Sequence, residues 1–215
     1  MRLPGNLLRA GLSVLFLTWA TAHADPSVVE RLRAGGYVLY MRHASTDFGQ
    51  NDSGMKDFAD CARQRNLTDK GRAEAREVGL HVRRLRIPVG EVLASPYCRT
   101  LETARLAFGK ATPSQEARGG PARPDDPSRY DGLRKLLSTP VAKGNNVAIV
   151  SHGNPFHAVA GPPYLAEGEI AVVKPEGDGR FSVIARIRPE DWKTLRSSGG
   201  PASSAGLCAR PPARG

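Results

Sequence analysis

The sequence predicts an α/β fold, a three-layer sandwich with a mainly parallel sheet, helices on both faces and an antiparallel edge hairpin. Two observations lead there. Short apolar, β-prone runs alternate with segments of helical spacing, the pattern that builds a parallel sheet between helices. The last two runs flank a Gly-rich turn instead of a helix, which marks a hairpin. The size agrees: 215 residues, 40% hydrophobic and 24% charged, make a globular chain long enough to bury a core.

Ser27 opens a short helix through a capping-box spacing to Glu30, and Gly35-Gly36 closes it. Tyr37–Met41 is the first strand, followed by a polar loop from Ala44 to Asn66. Thr68 caps a helix reaching about Arg86, with Ala75, Val78, Val82 and Leu85 on one face and Pro88 beyond its end. Glu91–Ala94 is the second strand, Ser95-Pro96 starts the next helix, and Gly109 stops it. Lys110–Asp126, rich in Gly, Pro and charge, is expected to run over the surface. Asp126-Pro127 starts a helix through Leu137 that Pro140 ends, and Asn146–Ser151 is the third buried strand. Ile170–Lys174 and Phe181–Ile187 form the hairpin around residues 175–179.

The ends of the chain read differently. Residues 1–24 carry Arg2 and Arg9, an apolar stretch from Gly11 to Ala22, and the small-x-small site Ala22-His23-Ala24. That is a cleaved signal peptide, too short in its apolar part to span a bilayer. No Cys follows Ala24, so no lipid anchor is expected. The organisation is therefore a leader (1–24), one domain (25–196) and a low-complexity, disordered tail (197–215). The mature chain is expected in the periplasm, without stable membrane insertion.

The formal charge of +10 favours anionic partners. Removing the leader takes two arginines and no acids, so the basic excess is not a targeting artefact. The basic residues are spread along the chain and aromatics are only 6%, so a nucleic-acid surface is not expected.

In a parallel sheet, ligands bind beyond the carboxyl ends of the strands. The first strand ends in Arg42-His43, the second leads into Ser95-Pro96-Tyr97-Cys98-Arg99, and the third ends in Ser151-His152-Gly153-Asn154. Two arginines and two histidines therefore share one rim. Guanidinium forks can neutralise phosphoryl oxygens, a helix N-terminus adds N–H donors, and an imidazole can attack phosphorus. Taken singly, each residue reads as ordinary surface charge or satisfied structure. Their common placement points to phosphoryl chemistry.

These segments, Met41-Arg42-His43-Ala44-Ser45-Thr46, Asn66-Leu67-Thr68 with Gly71, Ser95–Arg99 with Thr103-Ala104, and Ser151–Asn154, resemble the histidine phosphatase superfamily in residues and order. The resemblance runs from about Tyr37 to Ile187 and implies the phosphoglycerate-mutase-like fold. It implies that His43 is the nucleophile, forming a phosphohistidine, and that Arg42, Arg99 and His152 surround the phosphate. Ala44 stands where the family's Arg-His-Gly motif has Gly, and Ala is small enough to keep the turn. The exported context resembles the short periplasmic members. That implies hydrolysis of a small-molecule or envelope phosphomonoester, phosphosugars among them, with no cofactor and no metal. A mutase would need additional substrate-gripping elements, and none is visible in the sequence. A catalytically inactive phosphate- or anion-binding module of the same fold is the alternative.

A leaving alkoxide needs a proton donor. Gly153, Asn154 and Pro155 follow His152, so no acid lies directly after it. The candidates are Glu116, Asp125 and Asp126 in the excursion, and Glu167 and Glu169 before the hairpin. Asp126 is explained as a helix cap. Glu167 is favoured, because a loop entering a strand at that rim can aim a carboxyl at the pocket. A structural salt bridge is the competing role for the same residue. Cys61 and Cys98 both fall near the rim, where an exported chain would keep a disulfide; free thiols, with Cys98 buried, remain the alternative, and Cys208 lies in the tail.

Other chemistries lack their motifs. His23 leaves with the leader, His81 has no His or acidic residue four positions on, and His152 and His157 straddle a Pro; no HExxH, paired-Cys, Gly-x-Ser-x-Gly or Walker A pattern occurs.

Overall fold

The structure, a computed structural model, describes residues 27–120 and 126–195. The leader, the tail with Cys208, and Asp125 lie outside the described residues. Helix α1 (Val28–Ala34) is capped as its sequence predicts: Glu30 N donates to Ser27 Oγ and Ser27 N donates to the Glu30 carboxylate. Strand β1 (Val38–Arg42) follows, then the long loop, which contains a single 3-10 turn at Cys61–Arg63. Helix α2 (Asp69–Arg84) starts on Thr68, whose hydroxyl accepts from Gly71 N.

Strand β2 (Val92–Ala94) leads to α3 (Cys98–Phe108), which ends on Gly109 in the left-handed conformation. Next come β3 (Thr112–Pro113), α4 (Gln115–Arg118), a 3-10 turn at Pro127–Tyr130 and α5 (Asp131–Ser138). Strand β4 (Val147–Ser151) and α6 (Gly153–Ala160) follow, and the hairpin is β5 (Ile170–Gly177) and β6 (Arg180–Ile187). A last 3-10 turn spans Pro189–Lys193.

The six strands are ordered β3-β2-β4-β1-β5-β6. The first four pair in parallel, whereas β5 runs antiparallel to β1 and β6 antiparallel to β5. The hairpin turns on Asp178 and Gly179, both at positive φ, the two-residue geometry that matches strand twist.

Strand alternation divides the core in two. From β1, Leu39 and Met41 face Val78, Val82 and Ala104 of α2 and α3. Val38 and Tyr40 face the opposite way, toward Leu133, Leu137 and Phe156 of α5 and α6. The central strands are buried on both faces, so their runs read as continuously apolar.

Three expectations need correction. Residues 110–126 are not simply a surface excursion, because β3 pairs with β2 and Ala117 of α4 is fully buried. An edge strand tolerates Pro113, since its N–H is not needed. The helix expected from Asp126 to Leu137 is divided into a 3-10 turn and α5, although Asp126 does cap its start by accepting from Ser128 N. Finally, Gly153–Ala160 forms a helix the sequence did not announce. Pro155 sits in its first turn, where a missing N–H costs nothing.

Candidate active site

The carboxyl ends of β1 and β4 lie side by side, with Arg42 opposite Ser151, and His43 N donates to Ser151 O at 2.9 Å. The next residues, His43 and His152, are therefore neighbours, their ring centroids 5.6 Å apart. His43 is 1% exposed. Its Nδ1 lies 3.0 Å from Ala44 O, which fixes the proton on Nδ1 and leaves the lone pair on Nε2. His152 Nε2 pairs with Ser95 Oγ at 2.8 Å, and Tyr97 presents its ring at a right angle to the imidazole.

The loop after His43 is seated by helix α2. A Cβ on Gly71 would collide with the backbone of Ser45, so the helix approaches this closely only with glycine there. Ala44 is fully buried against Leu67 and Ala75, and its φ is not positive. No glycine is needed at that position.

Both imidazoles are held neutral. Burial pushes His43 down to about 3, reinforced by the charges of Arg99, Arg42 and Arg65 and opposed by the Ala44 carbonyl. Burial also lowers His152 well below the ordinary range, followed by Arg99, His43, Arg118 and Arg65. These arginines line a cavity of about 400 Å³ that opens over the two rings, and Arg129 joins them on its wall.

Arg99 stands in the first turn of α3, as expected, and is 5% exposed. Its guanidinium grips Asp52 with both Nη atoms, at 2.9 and 3.2 Å, and lies over the Tyr97 ring. Arg42 donates to Leu165 O at 2.8 Å and lies 3.5 Å from Glu167. All four rim residues, His43, Arg42, Arg99 and His152, thus meet at one cavity.

Glu167 does not line that cavity. Its carboxylate accepts from Thr46 Oγ1 at 2.7 Å and Thr46 N at 3.2 Å, and it stands 3.8 Å from His43 Nδ1. This is the far side of the imidazole from Nε2. Glu169 is turned back onto Ala166 N, Glu116 is exposed against Ser114, and Asp126 is the cap already described. Among the described residues the carboxyl on the cavity wall is Asp52. The signal for it is positional: the loop leaving His43 begins at the rim and can fold back over it.

That loop is fastened. Cys61 and Cys98 are joined in a disulfide, with their Cα atoms 5.7 Å apart. Gln64 Oε1 accepts from Cys98 N, and Asp52 Oδ1 accepts from Arg65 N. Asp52 and Arg65 are thereby tied to the start of α3. No group of three or more His, Cys, Asp or Glu suited to a metal ion occurs among the described residues.

Residues 38–118 match the family model described as the histidine phosphatase superfamily, branch 1. Over this segment the chain is similar to that family. Among solved structures, the protein histidine phosphatase SixA complexed with tungstate is 21% identical, with a TM-score of 0.50, covering 71% of this chain and 97% of that one. A SixA structure from Agrobacterium tumefaciens is 20% identical over 72% of this chain and 99% of that one, at a TM-score of 0.49. TTHB049 from Thermus thermophilus is 18% identical over 71% and 99%, also at 0.49. The SixA–tungstate likeness shows the fold. No curated protein matches the chain. Within the matched segment lie Arg42, His43, Asp52, Arg65, Arg99 and Arg118; His152 is brought to them by β4.

Proposed function

We propose that the chain is a phosphomonoester hydrolase that works through a phosphohistidine on His43. The observation that carries this reading is the tautomer: Nδ1–H is spent on the Ala44 carbonyl, so the Nε2 lone pair belongs to a neutral imidazole beside Arg42 and Arg99. Such a nitrogen is nucleophilic at neutral pH without a separate base. Nε2 attacks phosphorus, the bond to the ester oxygen breaks, and the leaving oxygen takes a proton. Water then cleaves the P–N bond and releases phosphate.

While Nε2 carries the phosphoryl group and Nδ1 keeps its proton, the ring is cationic. Glu167, 3.8 Å from Nδ1, offsets that charge. An entering phosphoryl group competes with Asp52 for the Arg99 fork. Once displaced, Asp52 is the carboxyl on the cavity wall that can pass a proton to the leaving oxygen. Asp52 is therefore assigned as the proton donor in place of Glu167.

Tungstate, bound by the SixA relative, is a tetrahedral oxyanion, and this supports an oxyanion site here. The reading includes export: the leader is cleaved after Ala24, and a disulfide beside the pocket suits an oxidising compartment. N-terminal sequencing from the cell envelope tests that part, and an intact Met1 in a cytosolic pool would overturn it.

Hydrolysis is tested by screening phosphomonoesters with the purified protein and its His43→Ala variant. Turnover by the parent and none by the variant is expected. Wild-type turnover in the variant would sink the mechanism, and phosphate binding without turnover in the parent would return the anion-binding module.

A further inference from the structure

Five arginines, Arg42, Arg65, Arg99, Arg118 and Arg129, line one cavity. A pair of guanidinium forks is enough to neutralise one phosphoryl group. Arg42 and Arg99 flank His43 and already have carboxylate neighbours, Glu167 and Asp52. Arg65, Arg118 and Arg129 have no carboxylate in ion-pair range among the described residues. Like charges gathered on one wall, without a carboxylate partner among the described residues, repel each other and favour an anion between them.

Arg118 and Arg129 are held in a particular way. Arg118 Nη1 donates to Gly120 O at 3.0 Å, and Arg129 Nε donates to Gly119 O at 3.3 Å. Two guanidinium groups from different elements are thus anchored on one dipeptide, each by a single N–H. The dipeptide must be glycine. Gly119 and Gly120 have φ of +85° and +58°, and a Cβ on them would meet the Tyr130 ring and the Arg129 carbonyl. Aromatic rings back both cations, Phe58 at 5.2 Å from Arg118 and Tyr130 at 5.0 Å from Arg129. The remaining N–H donors of each fork are left for a ligand. Arg118 also stands near enough to His152 to act on its charge.

We propose that Arg118 and Arg129 form a second anion subsite, and that the substrate is a small phosphomonoester bearing another phosphate or carboxylate. The proposal rests on the phosphatase reading for the word substrate, but the subsite itself rests on the arginine geometry. A cavity of about 400 Å³ holds a compact sugar or acid with two such groups. The structure thus assembles a gripping element that sequence spacing does not show.

Three probes that share one phosphonate-bearing carbon test it by titration calorimetry with the full chain: methylphosphonate, phosphonoacetate and methylenebisphosphonate. At least one of the latter two should bind about tenfold tighter than methylphosphonate, and which one does so identifies the second group as carboxylate or phosphate. Arg118→Gln/Arg129→Gln should reduce that ratio by about fivefold or more. Arg129→Gln alone, which leaves the Arg118 anchor in place, should reduce it in the same direction, so a poorly folded double variant does not end the test. Ratios near one in the parent, or an unchanged ratio in the variants, would overturn the subsite. Absence of turnover on every phosphomonoester, with the preference intact, would support the subsite and overturn only the phosphatase reading.

Discussion

In the proposed mechanism His43 is the nucleophile because of where its proton is kept. With burial holding it near 3 instead of 6.5, the nucleophile stays neutral through the whole range from pH 8 to about 4. Activity should therefore show no acid limb from His43 near 6.5; any limb there belongs to another group. Stability behaves otherwise. The unfolded chain takes up a proton on His43 as pH falls through about 6.5, and the folded chain does so only near 3. The unfolded state binds more protons between those values, so stability is full above 6.5 and declines as pH falls toward 3. His152, lowered in the same direction, steepens the decline. Urea unfolding at pH 7 and 4.5 should show the loss, and His43→Ala should flatten it. The two carboxyls separate by leaving group. Asp52→Asn should slow an alkyl phosphate far more than an aryl phosphate, whose leaving oxygen barely needs a proton. Glu167→Gln should slow both by a similar factor, on the order of tenfold for one partly buried charge interaction. Reversal of that pattern in kcat/KM would restore Glu167 as the donor.

At the level of elements, what the sequence discloses follows what has a period. Strands buried on both faces and a helix with Ala75, Val78 and Val82 on one side are legible, and so are the ends where Arg42, His43, Arg99 and His152 fall. Helix α6 is not, since Gly153-Asn154-Pro155 reads as loop until β4 places it. Nor is Asp52, because whether a residue in a long loop turns over the rim depends on tertiary fastening. The disulfide is that fastening. Cys61 sits in the loop's 3-10 turn and Cys98 at the first residue of α3, 37 positions apart, so the bridge limits where Asp52 and Arg65 can go. Replacing both with Ser (Cys61→Ser/Cys98→Ser) should cost about 4 kcal/mol of stability, the usual scale for a bridge closing a loop of this length. Below the melting range it should also lower kcat/KM for phosphomonoesters, because the loop that carries Asp52 and Arg65 to the cavity wall is loosened. A variant with the parent's melting temperature and kinetics would show that the loop is positioned by Gln64 and Asp52 alone.

Across the whole molecule, the site is a cationic bowl on the carboxyl rim of the sheet, with its floor supplied by β1 and β4 and its wall by the long loop, α3, α4 and α6. Neutral imidazoles at the floor leave five guanidinium charges facing one carboxylate, Asp52, on the lining. Low-dielectric walls concentrate such a field at the mouth, and an approaching anion is attracted before it touches any side chain. Salt weakens that attraction at a distance, because the screening length falls from about 30 Å at 0.01 M to about 3 Å at 1 M. Close contacts between Arg99 and a bound phosphoryl group are screened far less, since Arg99 is almost fully buried. Added salt should therefore lower kcat/KM steeply while leaving kcat nearly constant. An inert salt such as sodium chloride serves, provided the phosphate and sulfate that would occupy the site are kept out. Arg129→Gln, by removing one charge from the wall, should make the salt slope shallower. A parent enzyme whose kcat falls in parallel with kcat/KM would place the salt effect on the chemical step at His43 instead of on capture.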